Sequence, residues 1–295
     1  MATPTIASPS GLRSPSGVPS PSDVPSPSDV PSPSDVPSPS DLPFPSDSQT
    51  IAPISIKPYG EELGSKKEQV ARMFDGISPR YDLLNRLLSL GIDVGWRRVA
   101  LKMLRRRLSQ GKILDVATGT ADLALALAKA MPSTEVVGVD ISEGMLAIGR
   151  RKVAVGGLQS RVELRCADAE QLPYASDSFD AVTVSFGVRN FENLSKGLAE
   201  LTRVLRPGGT LMVLEFSRPA SPLIKGLMRG YNQFVMPAVG GWLSRDRAAY
   251  AYLPASVAIF PEGQAFEACL REAGLQPLSQ KRLTFGISTV YLATK

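Results

Sequence analysis

Between positions 115 and 122 the chain reads Asp-Val-Ala-Thr-Gly-Thr-Ala-Asp, a run of small residues fenced by two carboxylates. Small side chains at 117, 119 and 121 let the backbone turn sharply and approach a ligand closely. A dinucleotide loop would sit in the same place, but its third glycine falls on Asp122, where a carboxylate repels a pyrophosphate at a helix N-terminus. The loop suits a ligand with positive charge instead. S-adenosylmethionine carries an ammonium and a sulfonium, and Asp115 with nearby carbonyls, around Gly119, can meet its amino-acid end. Asp140 closes VVGVDIS, 25 residues on, where a carboxylate can accept both hydroxyls of a ribose. Asp168 lies in CADAEQLP, where an acid and a backbone amide can read an adenine edge. Any one of these aspartates could simply cap the next helix. Three, at the ends of successive strands, fall where an open sheet binds its ligand.

The elements around these residues alternate. KILDVA, EVVGVD and RVELRC read as strands separated by the helical segments DLALALAKAM and EGMLAIGRRKVAV. FDAVTVSF and GTLMVLEF follow as strands around a helical NLSKGLAELTRVL. Nearly continuous apolar strands between helices predict a parallel sheet covered on both faces. A helix QAFEACLREAG then leads to LQPLSQKRL and ISTVYLATK, which lack a helical spacer and so predict an antiparallel pair. The expectation is an α/β fold with seven strands, mostly parallel, the last antiparallel. Upstream, Ser65 and Glu68 make a capping-box pattern for a helix to about Asp75. Pro79 opens a second helix ending at Gly91, and Asp93 is placed to cap a third, giving an N-terminal helical cap over residues 57–110. The mixed segment 218–260 reads as a substrate-side insertion. Residues 1–56 hold 14 prolines and 15 serines, with VPSPSD four times and then LPFPSD, and predict a disordered tail ahead of a domain at 57–295.

Composition removes several chemistries. The chain has no histidine and two cysteines, so an imidazole base, a disulfide framework and a four-ligand zinc site are all excluded, and no metal is expected. Mean hydropathy is near zero and no run reaches the roughly 18 apolar residues of a spanning helix. The N-terminus has no apolar run of the ~7–15 residues that a secretory signal uses. A cytoplasmic protein, peripheral at the inner face of the membrane, is the expectation. Amino-methylation of nucleic-acid bases calls for an Asn/Asp-Pro-Pro-aromatic run after strand four; here Val184-Ser-Phe-Gly-Val-Arg-Asn190 stands, and no nucleic-acid partner is expected. The basic run from Arg97 to Arg107 reads either as a solvated helix face or as attraction to an anionic lipid surface.

Four segments carry a resemblance. Tyr81-Asp-Leu-Leu-Asn85 through Gly91-Ile-Asp93-Val-Gly-Trp96 resembles the first signature of the ubiquinone/menaquinone biosynthesis C-methyltransferases, and Arg203-Val-Leu-Arg-Pro-Gly-Gly209 through Glu215-Phe-Ser217 resembles the second. Ser185-Phe-Gly-Val-Arg-Asn190 and Tyr252-Leu-Pro-Ala-Ser256 are similar to two further family segments. The resemblance covers about Ser65 to Lys295, with Asp93 where His is common and Ala121 where Gly is usual. It implies a Rossmann-like class I S-adenosylmethionine-dependent methyltransferase, with cofactor contacts at Thr120, Asp140, Asp168 with Ala169, and Ser185. It also implies methyl transfer to a ring carbon of a reduced isoprenoid quinol. A demethylated naphthoquinol is the expected acceptor; a benzoquinol or both stay open, as does another small-molecule or lipid substrate. Because a quinone ring is too electron-poor to attack a methyl sulfonium, the substrate should be the quinol. Phenols ionise near pH ~10, so a cation must favour the anion. Arg189 is expected to supply it, Asn190 and Tyr81 to hold the quinol oxygens, and Asp122 or Asp93 to take a proton. Peripheral membrane contact through 222–243 and a homodimer complete the expected partners.

Overall fold

The computed structural model of the chain describes residues 56–231, 233 and 247–295. The Pro/Ser tail up to Ser55, and residues 232 and 234–246 of the expected insertion, lie outside the described residues. Seven strands form one sheet: β1 (Gly111–Val116), β2 (Thr134–Asp140), β3 (Val162–Cys166), β4 (Phe179–Ser185), β5 (Leu205–Phe216), β6 (Gln276–Leu283) and β7 (Ser288–Thr294). Their order is β3-β2-β1-β4-β5-β7-β6. The first five are parallel, and β7 inserts antiparallel between β5 and β6. The expected antiparallel pair is present, joined by a 3-10 turn at Thr284–Gly286. The parallel order reverses between β1 and β4, which opens a crevice beyond their carboxyl ends.

Strand alternation divides the core. Ile113, Val136 and Met212 face α3 (Ile92–Leu104), α4 (Asp122–Ala130) and α5 (Glu143–Val155), whereas their neighbours Leu114, Val137 and Val213 face α6 (Leu194–Val204) and the helix Gln264–Glu272, here α9. A cap of α1 (Lys66–Ile77) and α2 (Tyr81–Leu88) covers the carboxyl end. Its capping box is complete: Ser65 Oγ accepts from the Glu68 amide at 3.2 Å and Glu68 Oε2 accepts from the Ser65 amide at 3.0 Å. The insertion contributes α7 (Pro222–Gly230) and α8 (Arg247–Ile259), and Tyr252 of α8 packs with Val70 and Met73 of α1.

Asp93 does not cap α3. Gly91, in the left-handed region at φ 77, is the N-cap, and Asp93 lies in the first turn. There its carboxylate accepts from Ser89 Oγ at 2.7 Å and pairs with Arg97. Burial would raise the Asp93 carboxyl, but the Ser89 hydroxyl and the Arg97 guanidinium outweigh it and hold it below the usual range.

Candidate active site

Residues 117–121 leave β1 through three left-handed positions: Ala117 at φ 53, Gly119 at φ 56 and Ala121 at φ 66. Gly119 bears the turn without a Cβ penalty, and its amide donates to Asp140 Oδ2 at 2.8 Å. Ala121 is an N-cap that a glycine would fill with less strain; a Cβ on Gly149 of α5 would stand 3.2 Å from its methyl, so glycine there gives that methyl room. At the reversal point a Cβ on Gly187 would come within 2.5 Å of the Ala117 Cβ, so the loops after β1 and β4 touch through glycine.

The pocket at this end is lined by four successive strand ends. Gly119 follows β1, Asp140 ends β2, Asp168 and Ala169 follow β3, and Ser185 ends β4. The cap adds Tyr81 and Phe74, and the loop after β4 adds Phe186 and Asn190. Asp140 is gripped by backbone: besides Gly119, the Ser142 amide donates to Oδ1 at 2.9 Å. Burial pushes its carboxyl up to about 6, against these amide hydrogen bonds. Asp168 accepts from the Glu170 amide at 2.9 Å and pairs with Lys67 of α1 at 2.8 Å, which ties the cap to the strand-three side of the pocket. The buried Ser185 hydroxyl has no hydrogen-bond partner among the described residues. A buried hydroxyl without a partner on a pocket wall calls for a ligand group. With two acids for ribose and adenine donors, the wall fits S-adenosylmethionine.

Other expected residues lie behind the wall. Asp115 accepts from Thr118 Oγ1 at 2.7 Å and Thr183 Oγ1 at 2.6 Å, so both oxygens brace the loop against β4. Burial pushes its carboxyl up to about 6, opposed by those two hydroxyls and reinforced by Asp140. Thr120 is buried, donates to Asp82 Oδ1 at 2.6 Å and accepts from Lys152 at 3.0 Å. Asp122 pairs with Lys152 at 2.6 Å and with Arg97 at 3.2 Å. This cluster joins α2, α3, α4 and α5. It does not bring Thr120 or Asp122 to the pocket.

Beneath the loop after β4 lies a second buried cluster. Arg189 donates to Glu215 Oε1 at 2.8 Å and to the Phe186 carbonyl, and its guanidinium lies 5.3 Å from the centre of the Phe216 ring. The side chains are 7% and 0% exposed. Arg189 therefore stands paired behind the pocket wall, and its charge still opposes protonation of Lys66 and ionisation-resisting burial at Tyr81 and Tyr252. Lys66 donates to the Arg189 and Phe191 carbonyls at 3.1 and 2.7 Å, and burial, with Arg189 nearby, lowers its ammonium to about 8. Tyr252 donates to Asn190 Oδ1 at 3.2 Å, and burial pushes its phenol up to about 12. Burial likewise raises the Tyr81 phenol, so both tyrosines are donors rather than bases. Glu215 was readable as an oddity, a carboxylate inside the apolar run GTLMVLEF; nothing in the sequence marked Lys66 or Lys67.

Known proteins extend this picture. A demethylmenaquinone methyltransferase of Bacteroides fragilis is 45% identical over 240 residues, 81% of this chain and 97% of the relative. The ubiquinone/menaquinone biosynthesis C-methyltransferase UbiE of Geobacter sulfurreducens is 46% identical over 234 residues, 79% of this chain and 91% of the relative. The crystal structure of the cyclase SpnF superposes with a TM-score of 0.57 at 20% identity, covering 78% of this chain and 96% of that one, a likeness of fold alone. The sequence profile of the ubiE/COQ5 methyltransferases matches residues 62–295, almost the whole described domain. The chain belongs to the ubiE/COQ5 methyltransferase family.

Proposed function

We propose that this methyltransferase methylates a ring carbon of a reduced isoprenoid quinol, with a demethylated menaquinol as the acceptor. The observation that carries this reading is the lining of one pocket, which brings the acids Asp140 and Asp168 together with the rings of Phe74, Tyr81 and Phe186 and the amide of Asn190. S-adenosylmethionine, when bound, supplies the activated methyl. Asp140 holds its ribose and Asp168 with the Ala169 amide its adenine, while Asp115 keeps the loop shaped for its amino-acid end. Tyr81 and Asn190 hold the quinol oxygens. The Asn190 carbonyl accepts from Tyr252, which leaves its amide N–H groups to donate to the acceptor. Arg189 contributes a positive field through the wall, tempered by Glu215. Holding the ring carbon and the methyl at about 3–3.5 Å supplies the larger share of the rate. Asp122 and Asp93 are not proposed as proton acceptors. Asp122 is held by three cations, Arg86, Arg97 and Lys152, outside the pocket, and Asp93 is paired with Arg97.

Incubation with methyl-labelled cofactor and demethylated naphthoquinol or benzoquinol, each kept reduced, tests the reading. Label on the naphthoquinol supports it. Label on the benzoquinol alone reverses the acceptor, and equal label on an oxidised quinone refutes the redox argument. The same proposal includes peripheral contact with a membrane. It also treats 57–295 as the whole catalytic domain and 1–56 as dispensable. The wall described above comes from one chain, so pairing of two copies, which light scattering would read, is not needed to build it.

A further inference from the structure

Among the described residues, large apolar side chains are exposed at few places, and most of these gather at one end. Leu83 and Leu87 are exposed on the outward side of α2, Leu90 is exposed in the turn just after it, and Leu84 of the same helix faces the core. Leu223 and Leu227 stand one turn apart on α7, which buries none of its residues. Phe285 sits at the tip of the β6–β7 turn. Three of these, Leu90 at 80%, Phe285 at 78% and Leu223 at 73%, are among the most exposed. Leucines at four-residue spacing on a helix ordinarily turn inward. Here they point out.

The three elements share a rim. Tyr231, just after α7, donates to the Leu88 carbonyl of α2 at 2.6 Å. Trp96 of α3 donates to Thr284 of the β6–β7 turn at 2.7 Å. Because β6 runs antiparallel to β7 and β7 antiparallel to β5, that turn lies at the carboxyl end of the parallel strands, the end that holds the pocket. Tyr81 of α2 lines the pocket itself. Charge follows the same pattern. α7 carries Lys225 and Arg229 and no acid, and the single acid of α2, Asp82, is held by Lys152. The basic run at Arg105–Arg107, by contrast, follows the end of α3 and precedes β1, at the opposite end of the sheet.

We propose that this apolar, cationic rim of α2, α7 and the β6–β7 turn docks on an anionic lipid bilayer and delivers the pocket mouth to it. The inference rests on the isoprenoid quinol reading, since a substrate with a long apolar tail resides in the bilayer and must enter the pocket from there. Leucines and a phenylalanine at the acyl boundary with lysine and arginine among the headgroups is the arrangement of an interfacial helix. A second copy of the chain is a poorer occupant, because a two-fold contact would set Lys225 and Arg229 against their own copies.

Cosedimentation of the full chain with vesicles of phosphatidylcholine, alone or mixed with phosphatidylglycerol, tests this. The wild type should partition onto the mixed vesicles and less onto the neutral ones. L83S/L87S/L227S should lower the partition by about a hundredfold, roughly fivefold per leucine. K225Q/R229Q should remove the preference for phosphatidylglycerol. Both variants should melt like the wild type and methylate a soluble short-chain quinol at its rate. Failure of the wild type to bind mixed vesicles, or full binding by the triple-leucine variant, would overturn the proposal. So would a wild-type dimer by light scattering that the leucine variant splits. Vesicle binding that depends on these residues in a protein inactive on every quinol would uphold the docking surface and sink the substrate reading instead.

Discussion

Arg189→Met separates the structural from the electrostatic work of the buried arginine. Removing the guanidinium leaves Glu215, fully buried, with the Phe216 amide at 2.9 Å and the Arg189 amide at 3.4 Å as its remaining described donors. Breaking a buried pair from one side costs about 3–5 kcal/mol, because an uncompensated charge stays behind. For a domain of this size that is a fall of roughly 10 °C in melting temperature. Methionine also lacks the guanidinium that lies over the Phe216 ring, so that contact is lost with the pair. Arg189→Met/Glu215→Gln removes both charges and should regain more than half of the loss, since an amide needs no counter-ion. Urea denaturation of the wild type, both single variants and the double variant gives the coupling directly. Single-turnover methyl transfer by the folded double variant then reports the net field that the Arg189–Glu215 pair sends into the pocket. A bare cation in a dry site is worth ~10²–10³ in rate. With Glu215 beside it, a loss of about tenfold to a hundredfold is expected. A stable Arg189→Met protein, within about 1 kcal/mol of wild type, would refute the reasoning about the pair.

Asp140→Ala should weaken S-adenosylmethionine binding more than tenfold, about 1.4 kcal/mol, by calorimetry on folded protein; unchanged affinity would remove Asp140 from the site. The ligand-free Asp115 and Asp140 carboxyls, raised from 3.8 to about 6, bind protons in the folded chain that the unfolded chain has released. Stability should therefore fall as pH rises from about 4 to about 6. Cofactor affinity should run the other way, rising over that window because ribose hydroxyls need the ionised Asp140; a flat binding profile would contradict this. Tyr252→Phe frees the Asn190 carbonyl and should lower turnover about fivefold, the worth of one hydrogen bond, with cofactor affinity unmoved; a fall in cofactor affinity alone would show that Tyr252 acts elsewhere. A chain starting at Lys57 should fold and methylate a soluble quinol like the full chain, and loss of either property would show that the Pro/Ser repeats matter.

The fold was legible because its signals are local. Apolar runs of strand length, helical periods between them and a capping box at Ser65 each depend on neighbours in sequence, and each appears in the structure. The insertion of β7 between β5 and β6 was not legible, because pairing order depends on packing across the sheet. The site divides in the same way. Strand-end acids announce themselves, so Asp140 and Asp168 could be found at the pocket wall. Burial depth does not, and so Asp115, Thr120 and Asp122 read as equals of Asp140 although each spends its oxygens bracing the loop or the cap.

Arg189 shows what remains hidden longest. One-dimensional reasoning offered a cation beside the reacting ring, since Arg189 directly precedes Asn190 after β4. Its partner, Glu215, lies 26 residues away near the end of the adjacent parallel strand, and only the register of β4 against β5 brings the two carboxyl ends together. Pairing changes the chemistry on offer. An unpaired guanidinium would bind an anionic quinol in the ground state as well as beyond it; a neutralised pair behind aromatic rings leaves a weaker field that grows in importance as charge develops on the ring. The carboxyl end of this sheet thus holds the acids Asp140 and Asp168 on the pocket wall and the paired cation Arg189 behind it, and its leucine rim faces outward at the same end.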